Sequence, residues 1–381
     1  MVLPNYTSGS IVNLVSSIMA GYGQKNSYGP LENFSLTEHK NLVLLVVDGL
    51  GLSFLEQHGK DSFLWQNKKA ELTSVFPSTT AAALTSLMTG VAPLQHGLTG
   101  WFMYFRELGL AGVPLRFTPR FMENSLADFG VDINDIFNFE TIFKRISREM
   151  YLLCPKLTID SPVSKYCYGN KEKHGYEEVS ECFALLEKQI LKNEKNEMVF
   201  AYIPHFDEVS HLCGINSEEA VGLFRKIDKM FFDLVNNTKN TDTLYIVTAD
   251  HGMVDTTSET ILNIKDFPTI NECLILPLCG EPRVPYCYVR PAKHGQFVAE
   301  VDKHLGKYCD RFSLDQVLEM NLYGVGKMNP KFIDRIGDDI LIMKENYVLT
   351  DHVYKEADKK LVGYHGGLTR EEMMVPLIVC N

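Results

Sequence analysis

The chain has 381 residues, 45% of them hydrophobic and 22% charged, which suits one large α/β domain with an inserted unit, or two domains. A formal net charge of −11 with no block of Lys or Arg excludes a broad electrostatic grip on a nucleic acid polymer. A small phosphate ester stays open as substrate, because bound metal ions would reverse the local field whatever the global charge.

The N-terminus has neither a basic region nor a continuous apolar run, and no stretch of about 18 apolar residues follows, so neither a cleaved signal nor a transmembrane segment is expected. The nine cysteines lie between Cys154 and Cys380 without a Cys-x-x-Cys pair. That pattern reads as reduced thiols in a cytoplasmic protein, with export by a route lacking a cleaved signal left open.

Residues 1–37 form an N-terminal extension in which Ser8 to Ala20 alternates apolar and polar residues like a short amphipathic helix. The run Leu42 to Val47 reads as a buried strand and leads straight into Asp48 and a Gly-containing turn. Val75-Phe-Pro-Ser-Thr-Thr80 opens a stretch of good helix formers closed by Gly90. Ser78 or Thr79 suits the N-cap and Gly90 the C′ position. Thr80 then falls in the first turn, where free N–H groups and the helix dipole favour a phosphate or alkoxide. Taken alone, this segment reads more simply as an ordinary capped turn.

From about 100 to 192 the chain is aromatic and Pro-rich without a clear period and is expected to be an irregular insertion, ending in a helical pattern from Glu177 to Lys192. A second strand, Met198 to Ile203, leads into Asp207-Glu-Val-Ser-His211. Asp and His four apart share one face of a helical turn and can reach one metal ion, although the same spacing serves a surface ion pair. A helix is expected from Ser217 to Val235, then a third strand, Thr243 to Val247, running into Asp250-His251-Gly252. Residues 263–363 read as a separate α+β cap, with strand-like pieces Tyr286 to Arg290 and Asp339 to Met343 beside a helix from Gly295 to Lys307. The core, 38–262, resumes over 364–381 with His365-Gly-Gly367 and a fourth apolar run, Val375 to Val379.

The alternation of apolar runs with helical patterns predicts a doubly wound α/β fold with a mostly parallel sheet flanked by helices and an inserted cap. Ligands in such sheets bind beyond the carboxyl ends of the strands, and three of these ends lead into Asp48, into Asp207 and His211, and into Asp250 and His251. With His365 and Thr80, these groups suffice for two metal ions sharing a nucleophile. Mixed His and Asp ligation suits zinc, with manganese as the alternative.

Asp48-Gly, Phe76-Pro-Ser-Thr-Thr80, Thr89-Gly-Val-Ala-Pro-Leu-Gln-His96-Gly97, Asp207-x-x-x-His211, Asp250-His-Gly-Met253 and His365-Gly-Gly, in this order, resemble the nucleotide pyrophosphatase/phosphodiesterase branch of the alkaline phosphatase superfamily. The resemblance implies an alkaline-phosphatase-like fold with a cap between Met253 and His365, and Thr80 as covalent nucleophile. It also implies one zinc held by Asp207, His211 and His365, and a second held by Asp48, Asp250 and His251 with the Thr80 oxygen. The implied activity is metal-dependent hydrolysis of phosphoric esters through a phosphothreonine, on a small substrate such as a nucleotide or a lipid-headgroup diester. A phosphomonoesterase or phosphonate-bond hydrolase with the same site, and a metal-binding protein without catalysis, are the other readings. The family pattern carries an Asn shortly after the His-Gly. Here His96-Gly97 is followed by Leu98-Thr99-Gly100-Trp101, so Thr99, Trp101 and Arg106 are the candidates for substrate contact, and the diester-versus-monoester preference stays open.

Overall fold

Seven strands form the central sheet of the protein in a computed structural model, which describes residues 1–36, 39–192, 196–353 and 360–381. They are β1 (Asn41–Val47), β2 (Lys68–Thr73), β3 (Glu149–Pro155), β4 (Glu172–Tyr176), β5 (Glu197–Ile203), β6 (Thr243–Thr248) and β7 (Met374–Cys380). Their spatial order is β2-β7-β6-β1-β5-β3-β4. The central strand β1 is buried along its whole length and pairs in parallel with both β5 and β6. Strands covered by helices on both faces need such unbroken apolar runs.

Two expectations are corrected here. The final apolar run was expected among the parallel strands, but β7 is antiparallel to both its neighbours. Its chain enters from the His365 loop through only a short helix, Arg370–Met373, whereas a parallel return needs a crossover of about a dozen residues or more. The stretch 100–192 was expected to be irregular, yet it supplies β3 and β4. Strand β4 (Glu-Lys-His-Gly-Tyr) ends the sheet, and β2 (Lys-Lys-Ala-Glu-Leu-Thr) ends the other side. Edge strands tolerate polar residues, so a search for apolar runs passes over them.

Helix α1 (Ile11–Gly21), capped by Ser10, is buried from Ile11 to Met19 and packs against α2 (Thr80–Thr89), so it is a core element rather than an amphipathic surface helix. Its Ser16 and Ser17 hydroxyls satisfy themselves on backbone carbonyls one turn back. Outside 263–363 the remaining long helices are α3 (Val179–Lys192), α4 (His205–Cys213) and α5 (Glu218–Thr238). Within 263–363, an antiparallel sheet runs in the order Cys279–Glu281, Val284–Cys287, Asp339–Met343, Cys309–Ser313, beside a helix over His294–His304. Among the described residues no helix is long and apolar enough to cross a membrane, and all nine cysteines are unpaired.

Candidate metal centre

The strands that lead into acidic residues are neighbours: β6, β1 and β5 lie side by side. Asp48 directly follows β1, and its N–H is held by the Ile203 carbonyl at 2.9 Å. Gly49 turns the chain at φ +73°, where a Cβ would come 3.2 Å from the Asp207 side chain. Asp207 and His211 occupy successive turns of α4. Asp250 and His251 follow β6 and are fully buried. The adjoining Gly252 lies so close to the Glu371 carbonyl that a Cβ would stand 2.0 Å from it. His365 arrives from the loop before β7.

The structure brings these side chains together. His251 Nε2 is 3.3 Å from Asp48 Oδ1, 3.5 Å from Asp250 Oδ2 and 3.2 Å from Thr80 Oγ. His211 Nε2 is 3.3 Å from Asp207 Oδ2 and 3.2 Å from His365 Nε2, which is itself 3.8 Å from Asp207 Oδ1. Two groups have ligand atoms within 4.8 Å of one another: Asp48 with Asp250 and His251, and Asp207 with His251 and His365. His251 is common to both, and its ring stacks on that of His365 at 3.8 Å. The His211 distances put that residue beside the second group as well.

Every group in this cluster is arranged as an acceptor. His211, His251 and His365 each place Nδ1 against a backbone carbonyl: Gly363 at 2.7 Å, Gly252 at 3.0 Å and Ser78 at 3.2 Å. A proton on Nδ1 leaves the Nε2 lone pair facing the cluster. Asp250 Oδ1 accepts the N–H groups of Gly49 and His251 at 3.2 and 3.0 Å, and the Tyr202 hydroxyl donates to Asp48 Oδ2. The opposite oxygens, Asp48 Oδ1 and Asp250 Oδ2, together with Asp207 Oδ1, are buried without a hydrogen-bond partner. Burial, followed by the charges of Asp250 and Asp207, drives the Asp48 carboxyl well above its usual range. Burial also raises Asp207 against the pull of His211 and His251, and drives His365 well below the usual imidazole range. Unpartnered lone pairs are costly to bury unless a cation meets them, so the residues present fit divalent metal ions.

Thr80 is the first residue of α2, and the N-cap Thr79 (φ −137°, ψ 149°) makes no side-chain cap. The first N–H groups of that helix have no intrahelical acceptor and lie at the positive end of its dipole. The Thr79 hydroxyl donates instead to Glu281 Oε1 at 2.6 Å, an oxygen that also accepts the Trp101 N–H at 2.7 Å. Two residues further along the chain, Arg283 makes a fully buried pair with Glu372 at 2.9 and 2.7 Å. Glu372 in turn accepts the Gly367 N–H at 2.7 Å, beside the His365 loop. Tyr202, Glu281, Arg283 and Glu372 were not singled out in the sequence. Only the register that sets Tyr202 across from Val46 at the end of β1 would have pointed to one of them.

The three substrate-side candidates separate. Thr99 is buried, with its hydroxyl given to the Arg335 carbonyl at 3.1 Å, and Arg106 is exposed and paired with Asp334 at 2.7 Å. Trp101 is half-buried, tied to Thr79 through Glu281, with the Arg116 guanidinium 5.3 Å from its ring centre.

The profile of a family described as type I phosphodiesterase/nucleotide pyrophosphatase matches residues 42–368. No curated protein is matched by the sequence. Similar solved structures include murine ectonucleotide pyrophosphatase/phosphodiesterase 5, at TM-score 0.67 and 16% identity over 88% of this chain and 87% of that one. The human counterpart aligns at TM-score 0.66 and 17% identity over 88% and 87%. An inactive variant of the murine protein in complex with AMP aligns at 0.65 and 17%, over 89% and 87%. These likenesses establish an alkaline-phosphatase-like α/β fold. The profile match runs from the first strand of the sheet to just beyond the His365 loop, so the chain belongs to the type I phosphodiesterase/nucleotide pyrophosphatase family and is a phosphodiesterase-type hydrolase.

Proposed function

We propose that the protein hydrolyses small phosphoric diesters or nucleotide pyrophosphates, with Thr80 as covalent nucleophile and two divalent metal ions, zinc first and manganese as the alternative. The observation that carries this reading is the Thr80 oxygen at the start of α2, 3.2 Å from His251 Nε2, the nitrogen that also approaches Asp48 Oδ1 and Asp250 Oδ2, both buried without a hydrogen-bond partner. Ions held by Asp48, Asp250 and His251, and by Asp207, His211 and His365, would supply Lewis acidity to the Thr80 hydroxyl and the phosphoryl oxygens. The Thr80 oxygen attacks phosphorus in line, the bond to the leaving oxygen breaks, and a phosphothreonine forms that water then hydrolyses. The free N–H groups at the start of α2 donate to the equatorial oxygens as charge spreads over them. The AMP bound by the murine neighbour supports a nucleotide-type substrate. Nine unpaired cysteines support a reducing compartment, the cytoplasm.

Hydrolysis of bis-p-nitrophenyl phosphate and p-nitrophenyl phosphate, compared in metal-loaded, chelated and Thr80→Ala protein, tests the proposal. Diester turnover lost on chelation and in Thr80→Ala is the expected result. Undiminished turnover in Thr80→Ala would remove the nucleophile assignment. No turnover of either ester by metal-loaded protein would favour the metal-binding reading.

A further inference from the structure

Glu281 is a buried carboxyl at the meeting point of three catalytic segments. Its Oε1 accepts from Thr79, which precedes the nucleophile, and from the N–H of Trp101. Gly366, which follows His365, lies so close that a Cβ there would stand 2.9 Å from the Glu281 Cβ. Gly280 pairs with Phe102 in an isolated bridge, which fixes the strand against the Trp101 segment.

The environment differs from that of a structural ion pair. Arg283, two residues on, meets a full counter-charge in Glu372, whereas the hydrogen bonds Glu281 receives among the described residues both come from neutral donors. Burial pushes its carboxyl up to about 8, and the charge of Asp207 adds to the effect. The field of a metal-loaded centre acts in the opposite direction and favours the carboxylate. A phosphomonoester reaches such a site as a dianion and a diester as a monoanion. In the metal-loaded enzyme a carboxylate bonded to Thr79, the residue before the nucleophile, therefore costs the monoester more, and selectivity between partners often comes from such a repulsive element.

We propose that Glu281 is the charge-selecting residue of the site: its carboxylate, held beside the nucleophile by Thr79 and Trp101, disfavours dianionic phosphomonoesters and biases the enzyme toward monoanionic diesters. This rests on the phosphodiesterase reading above. Glu281→Gln keeps an acceptor oxygen for both donors and removes only the charge. In metal-loaded Glu281→Gln the ratio of kcat/KM for p-nitrophenyl phosphate to that for bis-p-nitrophenyl phosphate is expected to rise about tenfold, the effect of one partly screened charge pair. Calorimetric affinity for inorganic phosphate is expected to rise with it. Thr79→Val withdraws the hydroxyl that favours the charged carboxyl and is expected to move the ratio in the same direction by a smaller factor, which gives a second route should the Gln variant not fold. An unchanged ratio, or an equal fall for both esters, overturns the proposal. A wild type that cleaves neither ester sinks the diesterase reading instead, and the phosphate titration still decides charge selection: unchanged affinity in Glu281→Gln overturns it.

Discussion

The Thr80 hydroxyl lies 3.2 Å from Nε2 of His251, the same nitrogen that approaches Asp48 and Asp250. With Nδ1 of that ring facing the Gly252 carbonyl, Nε2 has only a lone pair to offer, and the hydroxyl donates to it. Thr80 is thus held with its oxygen at the rim of an acceptor cluster.

Thr80→Ala should lower kcat for diester hydrolysis by about a thousandfold or more, because a covalent route loses its nucleophile. Stability should change little, since only one hydroxyl is removed at a helix start. Trapping a phosphorylated wild-type chain by mass spectrometry, with none in Thr80→Ala, checks the assignment independently of rate.

Metal-free protein should be destabilised by its own carboxylates. Asp48 is driven upward by burial and by Asp250 and Asp207, so the folded chain binds protons more tightly than the unfolded one. The associated stability is present below the ordinary carboxylate range and is lost as pH rises through the raised value. Asp48→Asn should therefore raise the Tm of metal-free protein at neutral pH while lowering the metal content of loaded protein. Metal at a hundredfold excess over its Kd should add about 2.7 kcal/mol to the wild type. Thermal melts with and without chelator, beside elemental analysis, would read both effects.

Glu372 titrates in the opposite sense. Burial would raise it, but the charge of Arg283 and the hydrogen bonds from Arg283, Gly367 and Thr369 outweigh burial and hold it below its ordinary range. Its contribution is present above the ordinary carboxylate range and is lost as pH falls through the depressed value. Glu372→Gln should flatten the acid limb of the Tm-versus-pH curve. At neutral pH it should cost about 3–5 kcal/mol by leaving Arg283 buried without a counter-charge.

Tyr202→Phe removes the hydroxyl that donates to Asp48 Oδ2 and leaves the ring in place. Metal affinity should fall by about tenfold or more, the usual effect of removing a hydrogen bond to a ligand, with the fold retained. Competition against a chromophoric chelator measures the shift, and unchanged affinity would remove Tyr202 from the centre.

Legibility in the sequence follows burial and contiguity. β1, β5 and β6 are buried between helices, so their apolar runs and the acidic residues after them could be read directly. The α2 segment was equally plain at its end, because Gly90 at φ +73° sits where a helix terminus favours glycine, whereas Thr79 holds the N-cap position without capping. β2 and β4 are polar sheet edges, and the reversal of β7 depends on the short path from His365, which no periodicity encodes. Glu281 and Glu372 act on segments about 200 and 90 residues away, at Thr79 and Arg283 respectively. Thr99 and Arg106 were chosen by proximity in sequence, and their side chains bond to Arg335 and Asp334.

Two residues of the Cys279–Cys287 hairpin that bond to distant segments also limit how the family can diversify. Glu281 meets Thr79 and Arg283 meets Glu372, so this hairpin exchanged between homologues would arrive with two unmatched keys unless the receiving chain changed with it. Positions 79 and 281, and positions 283 and 372, are therefore expected to vary in step. New substrate preferences in this lineage should be acquired by joint change of the hairpin and the segments it meets rather than by swapping the hairpin alone.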